Sequence, residues 1–497
     1  MGRPTLFHFE LKRRGWDNWE EFAIHYVAGG RTLADQTGQH RLATASVGRT
    51  SFERWAHPDY SGRPRAEATQ ILEHLFGRSV EELFSPALTP AEFRQPPTEA
   101  AAVVDDLWPS TSRLIVPATG AAGMWELTGR DSLAGTAAAV LVMAAVHDGS
   151  SGDVLVADPG GELKRFLRPA ARRGFLMGVE EHADSHGLYV LDAASARRAQ
   201  ALASSRGNLT TIPRAYLLDD LTYAILWALT QLDDGLLADD QALDAESRNL
   251  DMYLALPRSA PNRQLLELTP AGASWWGSAF CAHYIELELQ DAGEIPVFWT
   301  REQRGAEAAP WLFFRHKIDY LRSTRRFADG GQTTSRVFCV PEAATTRTER
   351  YERVLLLLAI ALMERHGIRV RLVTDPAYAA MDGVAFVPGR KAVVANWVRT
   401  GEALWAASTI SGRGDLRSYG TAFRDAEQID ILTASAPKSR LEELARFLDI
   451  DWTWVTTRCR AVAEHGISHL VRTRSRLLTS DGVDDALSFL GTFAPTV

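Results

Sequence analysis

A chain of 497 residues with 46% hydrophobic and 23% charged side chains has the make-up of a folded protein of several domains, which excludes a disordered or fibrous chain. The net charge of -8 excludes an overall basic nucleic-acid coat but leaves room for local patches. Three scattered cysteines, Cys281, Cys339 and Cys459, exclude a disulfide framework and a zinc knuckle.

The first 86 residues read as helical. Trp19, Phe22, Ala23 and Tyr26 fall at helical spacing, as do Ala68, Ile71, Leu72 and Leu75. In "SVEELF", Ser79 with Glu82 three residues later has the form of a capping box. Residues 87–112, with Pro90, Pro96 and Pro97, read as a linker. From about Arg113 the pattern changes. "RLIVPA", "DVLVAD" and "GLYVLDA" read as strands, and "DSLAGTAAAVLVMAAV" and "AASARRAQALASS" as helices. The chain is then wholly helical from Leu217 to Leu256. A middle α/β and helical domain is expected over 113–325, followed by a second linker-like stretch, "FADGGQTTS". A C-terminal domain over 335–497 opens with the strand "RVFCV" and the helix "RYERVLLLLAIALMERHG". It continues with strands "IRVRLV", "GVAFV" and "AVVANWV", and ends in helices. The N-terminus lacks a signal-peptide core, and the longest apolar run, Leu133 to Val146, is too short for a bilayer. A cytoplasmic protein without membrane contact is therefore expected.

The sharpest motif is "SVGRTSFERW", residues 46 to 55. A helix from about Thr50 would set Phe52 and Trp55 on one face and leave Arg49, Ser51 and Arg54 outside. Between Gly38 and Arg65, five Arg stand against two acids, a local charge of +3. A long helix, then this stretch, the loop "AHPDYSGRPR", a helix and "SVEELF" form an order that resembles the XRE-like helix-turn-helix domain. The stretch from Trp16 to Phe84 is similar to the N-terminal region of large actinobacterial transcriptional regulators. The resemblance implies an all-α DNA-binding domain followed by α/β domains with helical segments. It also implies double-stranded DNA as partner, with Arg49, Thr50, Ser51 and Arg54 toward the bases and Arg63 and Arg65 toward phosphate. Ten residues separate Gly38, at the end of "RTLADQTG", from Arg49. Either the positioning helix is the short "RLATASV" or an insertion lies between the helices.

The large remainder carries weaker signals. Paired aspartates (Asp219/Asp220, Asp233/Asp234, Asp239/Asp240) could hold Mg²⁺, but each pair borders an apolar run where it would cap or solvate a helix end. No metal site is expected. Trp275, Trp276, Trp299, Arg301, Arg304, Arg315 and His316 are candidates for an effector pocket, since aromatics with several Arg suit an anionic or planar ligand. Cys281 and His283 sit two apart on a helix and would not meet, so no thiol catalysis follows. "IRVRLVTDP" with "GVAFVPGRKAVVANW" resembles phospholipase-D-like domains, yet Arg390 and Lys391 stand where His-x-Lys would be needed. "LVRTRSRLL" alternates Arg472, Arg474 and Arg476, a solvated edge or a second nucleic-acid contact.

The expectation is thus a transcriptional regulator with no catalytic residues and no cofactor, whose C-terminal region senses a small-molecule or protein effector. One short helix reads few base pairs, and the helix 350–367 has more apolar surface than one face requires. A homodimer held through residues 113–497 is therefore expected. The alternatives are an enzyme or degenerate phosphodiester-processing protein carrying a helix-turn-helix, and an interaction scaffold without a specific DNA site.

Overall fold

Behind a short helix α1 (Leu6–Arg14), the side chain of Asn18 accepts from Glu21 N at 2.8 Å and starts the long helix α2 (Trp19–Thr37). Gly38, at φ 70°, ends it in the left-handed conformation that a side chain would strain. "RTLADQT" is thus the tail of α2. A 3₁₀ turn, His40–Thr44, occupies the interval before α3 (Arg49–Ala56). The turn packs so closely on α2 that a Cβ at Gly30 would lie 2.7 Å from Leu42 O. Helices α4 (Ala66–Phe76) and α5 (Val80–Leu83) complete a core that includes Phe7, Phe22, Tyr26, Phe52, Trp55, Ile71 and Leu72.

The computed structural model describes residues 5–495 apart from 15, 58–59, 61, 77–78, 85–98, 117–121, 148–152, 158–161, 183–184, 203–208, 255–266, 325–333 and 401–402. Residues 87–98 of the expected linker and most of "FADGGQTTS" lie outside the described residues. Two units are resolved: Met1–Leu127 with Ala137–Arg214, and Thr128–Thr136 with Ala215–Val497. No helix among the described residues is long and apolar enough to cross a membrane.

In the first unit, residues expected in the linker form α6 (Glu99–Leu107), whose Ala101 and Val104 are fully buried. A seven-stranded sheet follows: β1 (Ser112–Ile115), β2 (Gly123–Leu127), β3 (Thr136–His147), β4 (Val154–Ala157), β5 (Gly174–His182), β6 (Ser185–Asp192) and β7 (Leu209–Ile212). Short helices α7 (Glu162–Phe166) and α8 (Ala193–Leu202) lie between strands. "DSLAGTAAAVLVMAAV", expected as a helix, supplies β3, which pairs antiparallel with β4 and parallel with β5. Its Ala-rich run favours a helix in isolation. Between two neighbouring strands, with Ala138, Ala139, Val140 and Leu141 all buried, tertiary pairing overrides that propensity.

The second unit is built on a six-stranded mixed sheet of order β10-β9-β8-β11-β12-β13. Its strands are β8 (Val297–Thr300), β9 (Ser335–Cys339), β10 (Arg369–Val373), β11 (Val384–Val387), β12 (Lys391–Asn396) and β13 (Ala406–Ile410). β8, β9 and β10 are parallel, and the last three strands are antiparallel additions. Because β8 belongs to this sheet, the expected boundary near 325–335 falls inside one fold. The longer helices are α9 (Asp220–Ser247), α10 (Pro270–Glu288), α11 (Gly305–Phe313), α12 (Arg315–Thr324), α13 (Arg350–Arg365), α14 (Arg413–Gln428), α15 (Pro437–Phe447), α16 (Trp452–His465) and α17 (Asp481–Gly491). α14 covers one face of the sheet through Leu416, Phe423 and Ala426. α13 is buried on all sides by α9, α11, α15, α17 and β10, and every residue from Val354 to Met363 is buried. The apolar surplus of this helix is therefore used inside the unit.

Candidate functional site

On α3, Phe52 and Trp55 point into the core, against Phe22 (5.0 Å between ring centroids) and Tyr26 (6.4 Å). Trp19 Nε1 donates to Val47 O at 3.0 Å and fixes the turn before the helix. Arg49, Thr50 and Arg54 are consequently exposed, and Ser51 is half-buried. Arg49 Nε meets Glu53 Oε1 at 2.8 Å one turn on, and this contact holds Arg49 more firmly charged. Arg63 pairs with Glu81 at 2.7 Å, across an exposed surface. Arg54 and Arg65 are exposed and make no ion pair among the described residues. α3 thus presents a polar, mixed-charge face with one uncommitted guanidinium, Arg54, and Arg65 adds a second at the entry to α4.

A second site lies within the second unit, along β8 and the start of β9. A cavity of about 40 Å³ opens among β8, β9, β11, β12, α10, α11 and α12. Of the three cations that line it, two are almost wholly buried, each with 4% exposure: Lys317 on α12 and Arg336 on β9. The Lys317 ammonium sits 3.9 Å from the Trp311 ring centroid and 4.7 Å from that of Trp397. Strand register sets Arg336 opposite Phe298, and its guanidinium lies 4.7 Å from that ring and 4.8 Å from Trp311. Arg336 Nη1 donates to Thr300 Oγ1 at 2.9 Å and the guanidinium also interacts with the Tyr320 hydroxyl, whereas Nε and Nη2 have no hydrogen-bond partner among the described residues. Glu302 is the buried counter-charge, accepting from Trp311 Nε1 at 2.8 Å. Neither cation forms an ion pair with it. Burial pushes Lys317 down to about 8, opposed by the attraction of Glu302. At the rim, Arg301 is lowered by burial and by Arg399, and reaches Asp382 only at 4.0 Å.

Of the effector-pocket candidates, Trp299 and Arg301 line this cavity. The others do not. Trp276 packs on Tyr253 and Trp405, and Trp275 on His316. Arg304 is tied to Asp131, and Arg315 to the carbonyls of Arg476 and Leu478. His316 Nε2 meets Ser278 Oγ at 2.8 Å, with Ser278 wholly buried, so the pair is a core hydrogen bond. Arg336 and Glu302 lie outside the candidate set, as does Lys317, although it stands in the same aromatic and Arg-rich stretch as Arg315 and His316. The available signals were an Arg at an inward position of "RVFCV", where alternate residues face one side, and one of only five Lys in an Arg-rich chain.

The remaining motifs largely satisfy one another. Asp233 and Asp234 hold Arg474, Asp240 and Asp244 hold Arg476, and Asp219 caps α9 and pairs with Arg458. Among the described residues, no three His, Cys, Asp or Glu come together as a metal site. Cys281 and His283 do not meet: His283 Nδ1 contacts Ala279 O at 2.9 Å, and burial pushes the thiol up to about 12. Lys391 bonds Glu288, and Arg390 reaches Asp291 O at 3.4 Å. No family model, curated protein or solved structure matches the chain.

Proposed function

We propose that the chain is a DNA-binding transcriptional regulator whose α1–α5 region is an XRE-like helix-turn-helix domain. In this reading the 3₁₀ turn His40–Thr44 is the positioning element and α3 the recognition helix. The observation that carries it is the division of α3, with Phe52 and Trp55 locked inside and Arg49, Thr50 and Arg54 outside. A helix held by its apolar face can lay its polar face in a major groove. Arg54 can take a guanine edge in bidentate fashion, and Arg49 can do so once released from Glu53. Arg65, at the entry to α4, is placed for a phosphate, and Arg63 joins it by exchanging Glu81 for DNA. The Glu53 contact is an exposed ion pair of the kind that solvent screens, so it is readily exchanged.

The test is selection of bound fragments from genomic DNA by the purified protein. Sharp enrichment of a palindromic sequence supports the regulator. Uniform retention, or none, removes the specific DNA site and favours the interaction scaffold. The phospholipase-D-like reading has less behind it, since Lys391 is bonded to Glu288.

A further inference from the structure

Burying a charge without a partner is costly, and folded proteins pair it or neutralise it. Lys317 can shed its proton, but Arg336 cannot. With Glu302 offsetting one of the two buried cations, and Arg301 at the rim facing Asp382, the cavity retains about one positive charge. The Nε–Nη2 side of Arg336, the edge that binds carboxylates two-pronged, is the side left unpartnered. We propose that this cavity is a binding site for a short-chain monocarboxylate. The carboxylate sits between Arg336 and Lys317, and the hydrocarbon tail lies against Trp397, Val384 and Val398.

Size and charge both narrow the class. At roughly 10–15 Å³ per water, 40 Å³ holds about three waters or a ligand of a few heavy atoms. A phosphate would bring a charge nearer -2 next to the Glu302 carboxylate, and would leave the apolar walls against a wholly polar ligand. A neutral alcohol would leave Arg336 uncompensated. A monocarboxylate matches the residual charge and the walls together. As the effector site of a regulator it rests on the function proposed above, but binding itself does not require DNA.

The experiment uses the full chain without DNA. Acetate, propionate and butyrate are titrated by calorimetry and thermal denaturation, with inorganic phosphate and 1-propanol at equal concentration and ionic strength. Saturable binding of at least one carboxylate is expected, with phosphate and propanol inert. Lys317→Met and Arg336→Met should each weaken binding at least tenfold while their own unfolding midpoints stay level or rise, because a buried unpaired cation is removed. Val398→Phe narrows the cavity without touching a charge and should also abolish binding, which decides the matter if a Met variant fails to fold. Absence of carboxylate binding to the wild type overturns the proposal. So does preferential binding of phosphate, or undiminished binding in Val398→Phe. If DNA selection fails while propionate binds, the site stands and only its regulatory role falls.

Discussion

Asp233, fully buried on α9, accepts backbone N–H bonds from both Arg474 and Ser475, at 2.9 and 2.7 Å. A helix residue thus fixes a segment 241 positions further along the chain. Asp233→Ala leaves two buried N–H groups without an acceptor and should cost about 3 kcal/mol or more. Asp240→Ala removes an ion pair whose side chains are 33% and 55% exposed, and should cost less than about 1 kcal/mol. Urea denaturation of the two variants measures the contrast. Equal losses would mean that the segment is held by something other than Asp233.

On the proposed DNA face, Arg54→Ala is expected to lose about ten- to hundredfold in affinity at a selected site and to relax specificity there. Arg65→Ala should weaken selected and scrambled duplexes alike and lower the salt dependence by about one counterion. Fluorescence anisotropy at several salt concentrations reads both effects. A loss confined to scrambled DNA in Arg54→Ala would exclude base reading by that residue.

Lys317 gives stability a pH dependence of predictable sign. Its pKa is about 8 when folded, against 10.5 unperturbed. Between those values the unfolded chain carries a proton that the folded chain has released, so stability rises with pH, by at most about 1.4 kcal/mol per unit. Below pH 8 both states are protonated and the whole penalty is present. The buried thiols act in the opposite direction above about pH 9, since Cys281 is raised to about 12 and Cys339 to about 11. Lys317→Met isolates the lysine. The variant should be more stable than wild type at pH 7, and the gap should close by about pH 10. A gap independent of pH would show that Lys317 is not the group responsible.

A homodimer is still expected, on grounds of DNA recognition alone. In the proposed DNA complex one α3 would contact only a few base pairs, and two-fold symmetry would double the site. Light scattering at micromolar concentration, with and without a selected duplex, should give twice the monomer mass. A monomer on a non-repeated site would end the argument.

Several elements were legible in the sequence because local pattern and burial agree there. The helices around Phe22 and Ile71 carry their period openly, while the helix at Leu355 and the strands "RVFCV", "IRVRLV" and "GVAFV" show as apolar or β-branched runs of the matching length. β3 was not legible, since a continuous Ala-rich run has no period and its neighbours in the sheet, β4 and β5, lie elsewhere in the chain. α13 misled in another way. Its apolar surplus resembles an interface, yet helices from four other segments consume it. The cavity was half-read: "WLFFRHKIDYLR" drew notice through Arg315 and His316, whereas helical rotation turns their neighbour Lys317 inward. Beyond its inward position, Arg336 has no local signal that sets it apart from its strand.

Residues 128–136 belong to the second unit although they precede most of it in the chain. Thr128 O accepts from Trp227 Nε1, Gly135 N donates to Gln231, and Arg130 pairs with Glu352 at 3.3 Å. On a ribosome adding about 5–20 residues per second, Arg130 waits roughly 220 residues, or about 10–45 s, for Glu352 to be made. During that wait the strand that follows it, β3, is already available for pairing. The nascent chain therefore carries a nine-residue strip committed to a structure that does not yet exist, and its exposure time is set by the rate of translation.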